Sequence, residues 1–143
     1  MEQSEPARNG ADLADIRILI IDDDNINAML AKSVLERLGC TVQISCNPVK
    51  ALEKYARDKD TIDLVLVDYF MPTMDGGATV DHLRKLNPEI KVLLFSGAEE
   101  IRLRQIIRRH SIEGFLHKPL RKEEAQQLIH EIFPARSEPV AST

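Results

Sequence analysis

The segment IRILIIDDD, residues 16–24, joins a short run of isoleucine and leucine directly to three aspartates. A run that is nearly continuous in aliphatic residues is typical of a strand buried on both faces of a parallel sheet. Because the aspartates follow without a spacer, we expect them at the carboxyl end of that strand. In open α/β sheets this is the edge that carries ligands and chemistry.

Further apolar runs follow this first strand, and each is separated from the next by a pattern typical of a helix. The predicted strands are Ile16–Ile21, Thr41–Ser45, Asp63–Val67, Lys91–Phe95 and Gly114–His117. The predicted helices cover Asn25–Leu38, a segment opened by Asn47 and Pro48, a segment from near Gly77 to before Asn87, Glu99–Arg109 and Lys122–Phe133. This alternation predicts an α/β fold with a parallel sheet and right-handed crossovers. The pattern alone leaves the strand order open.

The spacing of apolar residues predicts the buried face of each helix. The residues expected to face the core are Ile26, Leu30, Val34 and Leu38 in the first helix, Ala51, Leu52 and Tyr55 in the second, Val80 and Leu83 in the third, Ile101, Ile106 and Ile107 in the fourth, and Ala125, Leu128, Ile129 and Ile132 in the fifth. Gly39 fits the position that ends the first helix.

Composition is that of a single domain with an ordinary core. The chain has 143 residues, 43% of them hydrophobic, and a formal net charge of only −4. This mild charge and the absence of tryptophan argue against nucleic acid as a partner. No apolar run approaches the ~20 residues that span a bilayer, and the N-terminus lacks the apolar segment of a signal peptide. We therefore expect a cytoplasmic protein with no membrane partner.

Polar segments flank the predicted domain. We expect residues 1–15 and 134–143 to be disordered tails and residues 16–133 to form the domain. Cys40 and Cys46 lack the spacing of metal ligands, and we expect both to be buried or half-buried thiols.

Polar side chains stand at the ends of four predicted strands. The aspartates at 22–24 follow the first strand, Asp68 the third, Ser96 the fourth and Lys118 the fifth. Clustered carboxylates repel one another unless a cation neutralises them, and their oxygens suit Mg²⁺. With a lysine and a hydroxyl beside them, such a centre can position a phosphoryl group. A carboxylate can itself accept that group as an aspartyl phosphate.

The segment DYFMPTMDG, residues 68–76, resembles the receiver domains of two-component response regulators. The acidic pair Asp22 and Asp23, Ser96 after KVLLF and Lys118 in HKP extend the resemblance over residues 16–133. It implies a flavodoxin-like fold with a five-stranded parallel sheet in the order 2-1-3-4-5 and helices on both faces. It also implies a phosphorelay switch, in which Asp68 accepts a phosphoryl group from a sensor histidine kinase or a histidine phosphotransfer protein.

The resemblance assigns the metal site and the switch. The ligands of Mg²⁺ would be Asp22, Asp23, Asp68 and the backbone carbonyl of Phe70, with Asp24 outside this set. Lys118 would pair with the phosphoryl group. Ser96 would move towards that group on activation, and Phe115 would swing inward as the switch aromatic.

Two positions near the acceptor depart from the commonest pattern of the family. Phe70 is bulky and apolar, and Ala98 cannot orient a water. Both positions lie where an attacking water would approach, so we expect slow autodephosphorylation.

We expect no effector domain after residue 133 in this chain, which would be either a stand-alone receiver or a receiver excised from a longer chain. Output is therefore expected to be protein–protein contact. Family members often signal through the face formed by helix four, strand five and helix five. The fourth helix carries Arg102, Arg104, Arg108 and Arg109. These arginines form either a solvated face or a docking surface for an acidic downstream protein.

Two other functions remain open at this stage. A haloacid-dehalogenase-like phosphatase would use Asp22 as its nucleophile, with Ser96 and Lys118 as later groups, but would leave residues 71–76 unexplained. A pseudo-receiver would be an interaction module without phosphorylation. The observation that separates the three functions is which aspartate, if any, carries a phosphoryl group.

Overall fold

The computed structural model describes residues 13–134, so most of both proposed tails lies outside the described residues. In this range strands and helices alternate strictly. The elements are β1 Arg17–Ile21, α1 Asn25–Arg37, β2 Thr41–Ser45, α2 Pro48–Asp58, β3 Leu64–Val67, α3 Gly76–Leu86, β4 Lys91–Ser96, α4 Glu100–His110, β5 Gly114–His117 and α5 Lys122–Ile132. A short 3-10 helix, Lys59–Thr61, follows α2.

The strands form one sheet in the order β2-β1-β3-β4-β5. Every neighbouring pair is parallel. This is the order that the resemblance implied. All five strands therefore present their carboxyl ends at the same edge, and the order reverses between β1 and β3, where ligands bind in open α/β sheets.

The sheet is buried on both faces, as the aliphatic runs predicted. Ile18 and Ile20 of β1 belong to a core cluster with α1 and α5, whereas Leu19 and Ile21 belong to a second cluster with α2, α3 and α4. Successive side chains of a strand point to opposite faces, so β1 is shared by both clusters. This double burial fixes where β1 ends and hence where its aspartates stand.

The packed structure extends beyond the predicted start of the domain. Leu13 is fully buried in the first core cluster, although the sequence placed it in a polar tail. Its backbone N–H donates to the carbonyl of Leu38 at 3.2 Å. A single leucine in a polar segment has no periodic pattern, so neither helical nor strand spacing could reveal it.

The predicted buried stripe of the first helix is confirmed at Leu38, which is fully buried, but is wrong at Ile26 and Leu30. Ile26 is 71% exposed and Leu30 is 56% exposed, while the residues that face the core are Ala28, Ala31 and Leu35. An i+4 spacing fits either stripe of the helix, and the sequence prediction chose the stripe with the larger apolar side chains. The two alanines instead allow α1 to lie close to the sheet, which leaves the bulky side chains outside.

Two smaller expectations are also wrong. In α4 the prediction is confirmed for Ile106, which is buried, and for Ile107, which packs against the second core cluster, but Ile101 is 73% exposed and Leu103 is buried instead. Cys40 is buried, and burial raises the pKa of its thiol to about 12, but Cys46 is exposed. Within residues 13–134, no helix combines the length and apolar character needed to cross a membrane.

Candidate functional site

The first strand delivers three aspartates into three different environments. Asp22 is fully buried, Asp23 is exposed, and Asp24 is the N-cap of α1. The Asp24 carboxylate accepts hydrogen bonds from the backbone N–H groups of Ile26 and Asn27, and these bonds lower its pKa. Its own N–H donates to Asp22 Oδ1 at 2.9 Å. Asp24 therefore serves the helix and orients Asp22.

Asp68 enters the same edge from the neighbouring strand β3. Its backbone N–H donates to the carbonyl of Ile21 at 2.9 Å, which continues the β1–β3 ladder. Its side chain is buried, and Oδ1 accepts a hydrogen bond from the backbone N–H of Phe70 at 3.1 Å. One carboxylate oxygen from each of Asp22, Asp23 and Asp68 lies within 4.8 Å of the others.

Lys118 supplies a positive charge from the other side of the cluster. Its Nζ lies 2.9 Å from Asp22 Oδ2 and 3.4 Å from Asp68 Oδ2. Its backbone N–H donates to the carbonyl of Ser96 at 3.1 Å, and its peptide bond to Pro119 is cis. Asp22 Oδ2 is buried and receives no well-aligned hydrogen bond within residues 13–134. The polar group close to it is the Lys118 ammonium.

Ser96 and Phe115 lie beside this cluster on β4 and β5. Ser96 is buried at the end of β4, and its Oγ accepts a hydrogen bond from the backbone N–H of Ala98 at 3.0 Å. Phe115 is half-buried against the second core cluster and contacts His117 edge-on, with ring centroids 5.0 Å apart. The structure thus brings Asp22 and Asp68 into direct contact with Lys118 and joins Ser96 to Lys118 through a backbone hydrogen bond, while Phe115 lies on β5.

The sequence also matches a known family over most of the described range. The family model for the response regulator receiver domain matches residues 18–130. This chain belongs to the receiver domain family. The match covers β1 from Ile18, the other four strands and the acidic cluster, so the family model and the candidate site involve the same part of the chain.

Relatives of this receiver domain occur alone and inside longer proteins. The two-component response regulator ARR22 of Arabidopsis thaliana is 29% identical over 121 residues, which cover 84% of this chain and 85% of that protein. The sensor kinase CckA of Brucella abortus is 30% identical over 116 residues, which cover 81% of this chain but only 12% of the kinase. The chain therefore spans a small part of some curated relatives.

Solved structures share the fold of this receiver domain. A receiver domain protein from Clostridium thermocellum superposes with a TM-score of 0.75 at 20% identity, covering 85% of this chain and 96% of that one. A chain of a CheX–CheY–BeF₃–Mg complex from Borrelia burgdorferi is a comparable match. It gives a TM-score of 0.75 at 22% identity, covering 82% and 89% of the two chains.

The acidic cluster of the receiver domain carries more negative than positive charge. Burial raises the pKa of Asp68 to about 6; the Lys118 ammonium opposes this rise and the Asp22 carboxylate adds to it. Burial acts to lower the pKa of Lys118, but the contacts with Asp22 and Asp68 outweigh it and the net shift is upward. One ammonium beside three carboxylates leaves negative charge uncompensated, and a hard divalent cation can neutralise it.

The structure explains why glycine follows Asp75 in the loop after β3. A Cβ at Gly76 would stand 2.5 Å from the Cα of Tyr69, because the chain folds back there and the Gly76 N–H donates to the Tyr69 carbonyl at 2.7 Å. The Asp75 carboxylate then caps α3 through the backbone N–H of Ala78. This turn holds the loop that contains Phe70 against the site.

One residue beside the site was missed by sequence reasoning. The guanidinium of Arg102 lies over the ring of Phe70, with Cζ 4.7 Å from the ring centroid. The two residues are on different elements, and neither periodicity nor a motif connects them. The sequence grouped Arg102 with the other arginines of α4, and only the three-dimensional fold separates it from them.

The electrostatics predict that Asp68→Asn stabilises the metal-free protein at neutral pH. The pKa of folded Asp68, about 6, lies above its ordinary value of about 4, so the folded state holds this proton more tightly. The stability that comes from this tighter proton binding is therefore present below about pH 4 and is lost as the pH rises through about 6. In urea unfolding with EDTA present, the free energy of unfolding of Asp68→Asn should exceed that of wild type at about pH 7.5. The difference should shrink as the pH falls towards about 4.

Asp63→Asn is the control for this prediction. Asp63 accepts hydrogen bonds from Arg17 at the opposite edge of the sheet, so its loss should destabilise the protein. An Asp68→Asn variant that is no more stable than wild type at pH 7.5 would contradict the charge imbalance.

Proposed function

We propose that this receiver domain is a phosphorylation-dependent switch of a phosphorelay, in which Asp68 accepts a phosphoryl group from a phosphohistidine. The observation that carries the proposal is the cluster of Asp22, Asp23 and Asp68 within 4.8 Å, faced by Lys118. Phosphoryl transfer depends on positioning and on neutralising charge, and this cluster offers both.

Mg²⁺ fits the donor set of the site. Its ligands would be the carboxylates of Asp22, Asp23 and Asp68 together with the backbone carbonyl of Phe70. Three carboxylate oxygens lie within 4.8 Å of one another while Lys118 contacts only Asp22 and Asp68, and such an excess of carboxylate oxygens favours a hard divalent cation. When bound, the ion would neutralise charge on the transferring phosphoryl group.

The residues of the chain divide the transfer step among them. An oxygen of Asp68 attacks phosphorus, the bond from phosphorus to the histidine nitrogen breaks, and the histidine leaves with the electron pair. Lys118, already 3.4 Å from Asp68 Oδ2, pairs with a phosphoryl oxygen. The hydroxyl of Ser96 accepts a hydrogen bond from the backbone N–H of Ala98 and donates a hydrogen bond to another phosphoryl oxygen. Movement of Ser96 towards the phosphoryl group opens space into which Phe115 turns.

The alternative functions make different use of the same residues. A phosphatase nucleophile at Asp22 would be fully buried, with Lys118 only 2.9 Å from its Oδ2, whereas Asp68 is 5% exposed and its contact with Lys118 is longer, at 3.4 Å. The receiver family membership also accounts for the segment of residues 71–76 that a phosphatase leaves unexplained. A pseudo-receiver differs only in never being phosphorylated, which an experiment decides.

Incubation with acetyl phosphate and Mg²⁺ should add one phosphoryl group to the wild-type chain, detected by intact mass spectrometry. The gain should be lost in Asp68→Asn and in EDTA, because the acceptor oxygen and the charge-neutralising ion are then missing. Asp75→Asn is the matched control, since Asp75 caps α3 on the same loop and should leave the gain intact. Phosphorylation of Asp22 would favour the phosphatase. No phosphorylation despite Mg²⁺ binding would favour a receiver that needs its own protein donor, and neither phosphorylation nor Mg²⁺ binding would favour the pseudo-receiver.

We further propose slow autodephosphorylation. The side chain of Phe70 is 42% exposed at the mouth of the site, and Ala98 offers no polar group to an incoming water. Phe70→Asn should shorten the half-life of the aspartyl phosphate by placing an amide where a water approaches. The decay of phosphorylated protein after removal of acetyl phosphate measures this half-life, and equal values for both proteins would sink the idea.

The input partner would be a sensor histidine kinase or a histidine phosphotransfer protein that docks on the exposed side of α1. We define this α1 face as Ile26, Met29 and Leu30, which are 71%, 57% and 56% exposed. A cluster of large apolar side chains on a surface is typical of a protein interface. The helix begins directly after Asp24, so its face borders the carboxylate cluster that a phosphohistidine must reach.

Ile26→Asp should slow phosphotransfer from a phosphorylated histidine phosphotransfer protein about ten-fold, while phosphorylation by acetyl phosphate stays unchanged. The reason is that a charge on the α1 face opposes burial under a protein but not access of a small donor. Ile101→Asp on α4 is the matched control, because Ile101 is an isoleucine of similar exposure, 73% against 71% for Ile26. Equal slowing by both variants would argue against docking on α1.

The output partner would dock on the face formed by α4, β5 and α5. A groove of about 780 Å³ lies there, with Ile107, Phe115 and Leu128 among its apolar walls and Arg104 and Arg108 beside them. Because Phe115 is part of the wall, its movement would change the shape of the groove. The arginines favour an acidic downstream protein as the occupant.

A further inference from the structure

The backbone of Phe70 is fixed, but its side chain lies on the surface. Its N–H donates to Asp68 Oδ1 at 3.1 Å, so the residue cannot withdraw from the acceptor without losing that bond. The ring is 42% exposed and packs edge-on against Tyr69, with centroids 5.0 Å apart. The ring is therefore supported on one side by Tyr69, and its outward face is partly open to solvent.

Arg102 covers this outward face from another element. It lies in the first turn of α4, the helix that follows Ser96 after a short loop, and its Cζ is 4.7 Å from the centroid of the Phe70 ring. Among residues 13–134, Arg102 forms no ion pair, whereas Arg104 on the same helix pairs with Glu100. The ring of Phe70 is thus the partner that the structure gives to the Arg102 cation.

We propose that Arg102 is a positioning residue that holds Phe70 across the mouth of the acceptor site and thereby lengthens the life of the aspartyl phosphate. The contact joins the loop after β3 to the start of α4, which are the two segments that border Asp68 and Ser96. Water must pass between these segments to attack phosphorus, break the bond to the Asp68 oxygen and release inorganic phosphate. Holding the ring in place narrows that path.

This inference rests on the proposed function, since it concerns the lifetime of a phosphorylated Asp68. The inference goes beyond the proposed slowing of dephosphorylation by Phe70, because that slowing would depend on a residue of α4. It also separates Arg102 from Arg104 and Arg108, which border the groove on the opposite side of α4. A cation over an exposed ring is worth about a two- to five-fold change in an equilibrium, and the effect on lifetime should be of that size.

The test measures the half-life of the aspartyl phosphate, formed with acetyl phosphate and Mg²⁺, in a set of variants. Arg102→Met keeps an unbranched stem without the charge and should shorten the half-life about two- to five-fold. Arg102→Lys retains a cation for the ring and should restore most of the wild-type value. Arg109→Met, an exposed arginine of the same helix, should leave the half-life unchanged.

A double-mutant cycle shows whether Arg102 acts through Phe70. In a Phe70→Leu background, which keeps bulk but removes the aromatic face, Arg102→Met should have no further effect. If Arg102 instead acted on the phosphoryl group directly, the two substitutions would add, and the proposal would be overturned. Equal half-lives for wild type and Arg102→Met would overturn it as well.

A second readout needs neither phosphate nor metal. In proton NMR of the metal-free protein, the Arg102 side-chain protons should be shifted upfield by the Phe70 ring, and the shift should vanish in Phe70→Leu. An absent shift in the wild type would overturn the contact itself. Failure both to bind Mg²⁺ and to be modified at Asp68 would overturn the proposed function, and the NMR result would then still report on the contact.

Discussion

The ion pair between Lys118 and Asp22 is the contact on which the site depends. Asp22 is fully buried, and a buried carboxylate without a cation would carry a large desolvation penalty. Lys118 removes part of that penalty from 2.9 Å and also reaches Asp68. The pair joins the ends of β1 and β5, strands that are not neighbours, and so it ties together an edge that backbone hydrogen bonds alone leave open.

The parallel sheet determines which residues can take part in that contact. Because β1 and β3 are adjacent, Asp22 and Asp68 follow paired strands and meet at the point where the strand order reverses. β4 adds Ser96 on the far side of β3, and β5 brings Lys118 back towards the centre through a long side chain. The aliphatic layers on both faces stabilise the sheet. The fold therefore tolerates an excess of negative charge at the polar edge.

The sequence predicted the strands and the polar edge well, for a clear physical reason. Strands buried on both faces must be aliphatic throughout, and the aspartates that end β1 and β3 interrupt that pattern sharply. Helix faces were harder to predict, because an i+4 spacing fits two stripes of α1 and only packing against the sheet selects Ala28, Ala31 and Leu35 over Ile26 and Leu30. The strand order came from family resemblance and not from pattern, since parallel pairing leaves no local signal of its neighbours.

Contacts between elements were beyond the reach of sequence reasoning, and they are the ones that join the site to the surface. The burial of Leu13 and the stacking of Arg102 on Phe70 both depend on how separate segments approach in space. The second contact has a further consequence. The site is enclosed by backbone turns on the β3 side, where Gly76 is held against Tyr69, but on the β4 side it is bounded by exposed side chains of α4. An exposed side-chain contact is weaker than a buried turn, so the α4 side is the boundary that another protein could alter without unfolding the sheet.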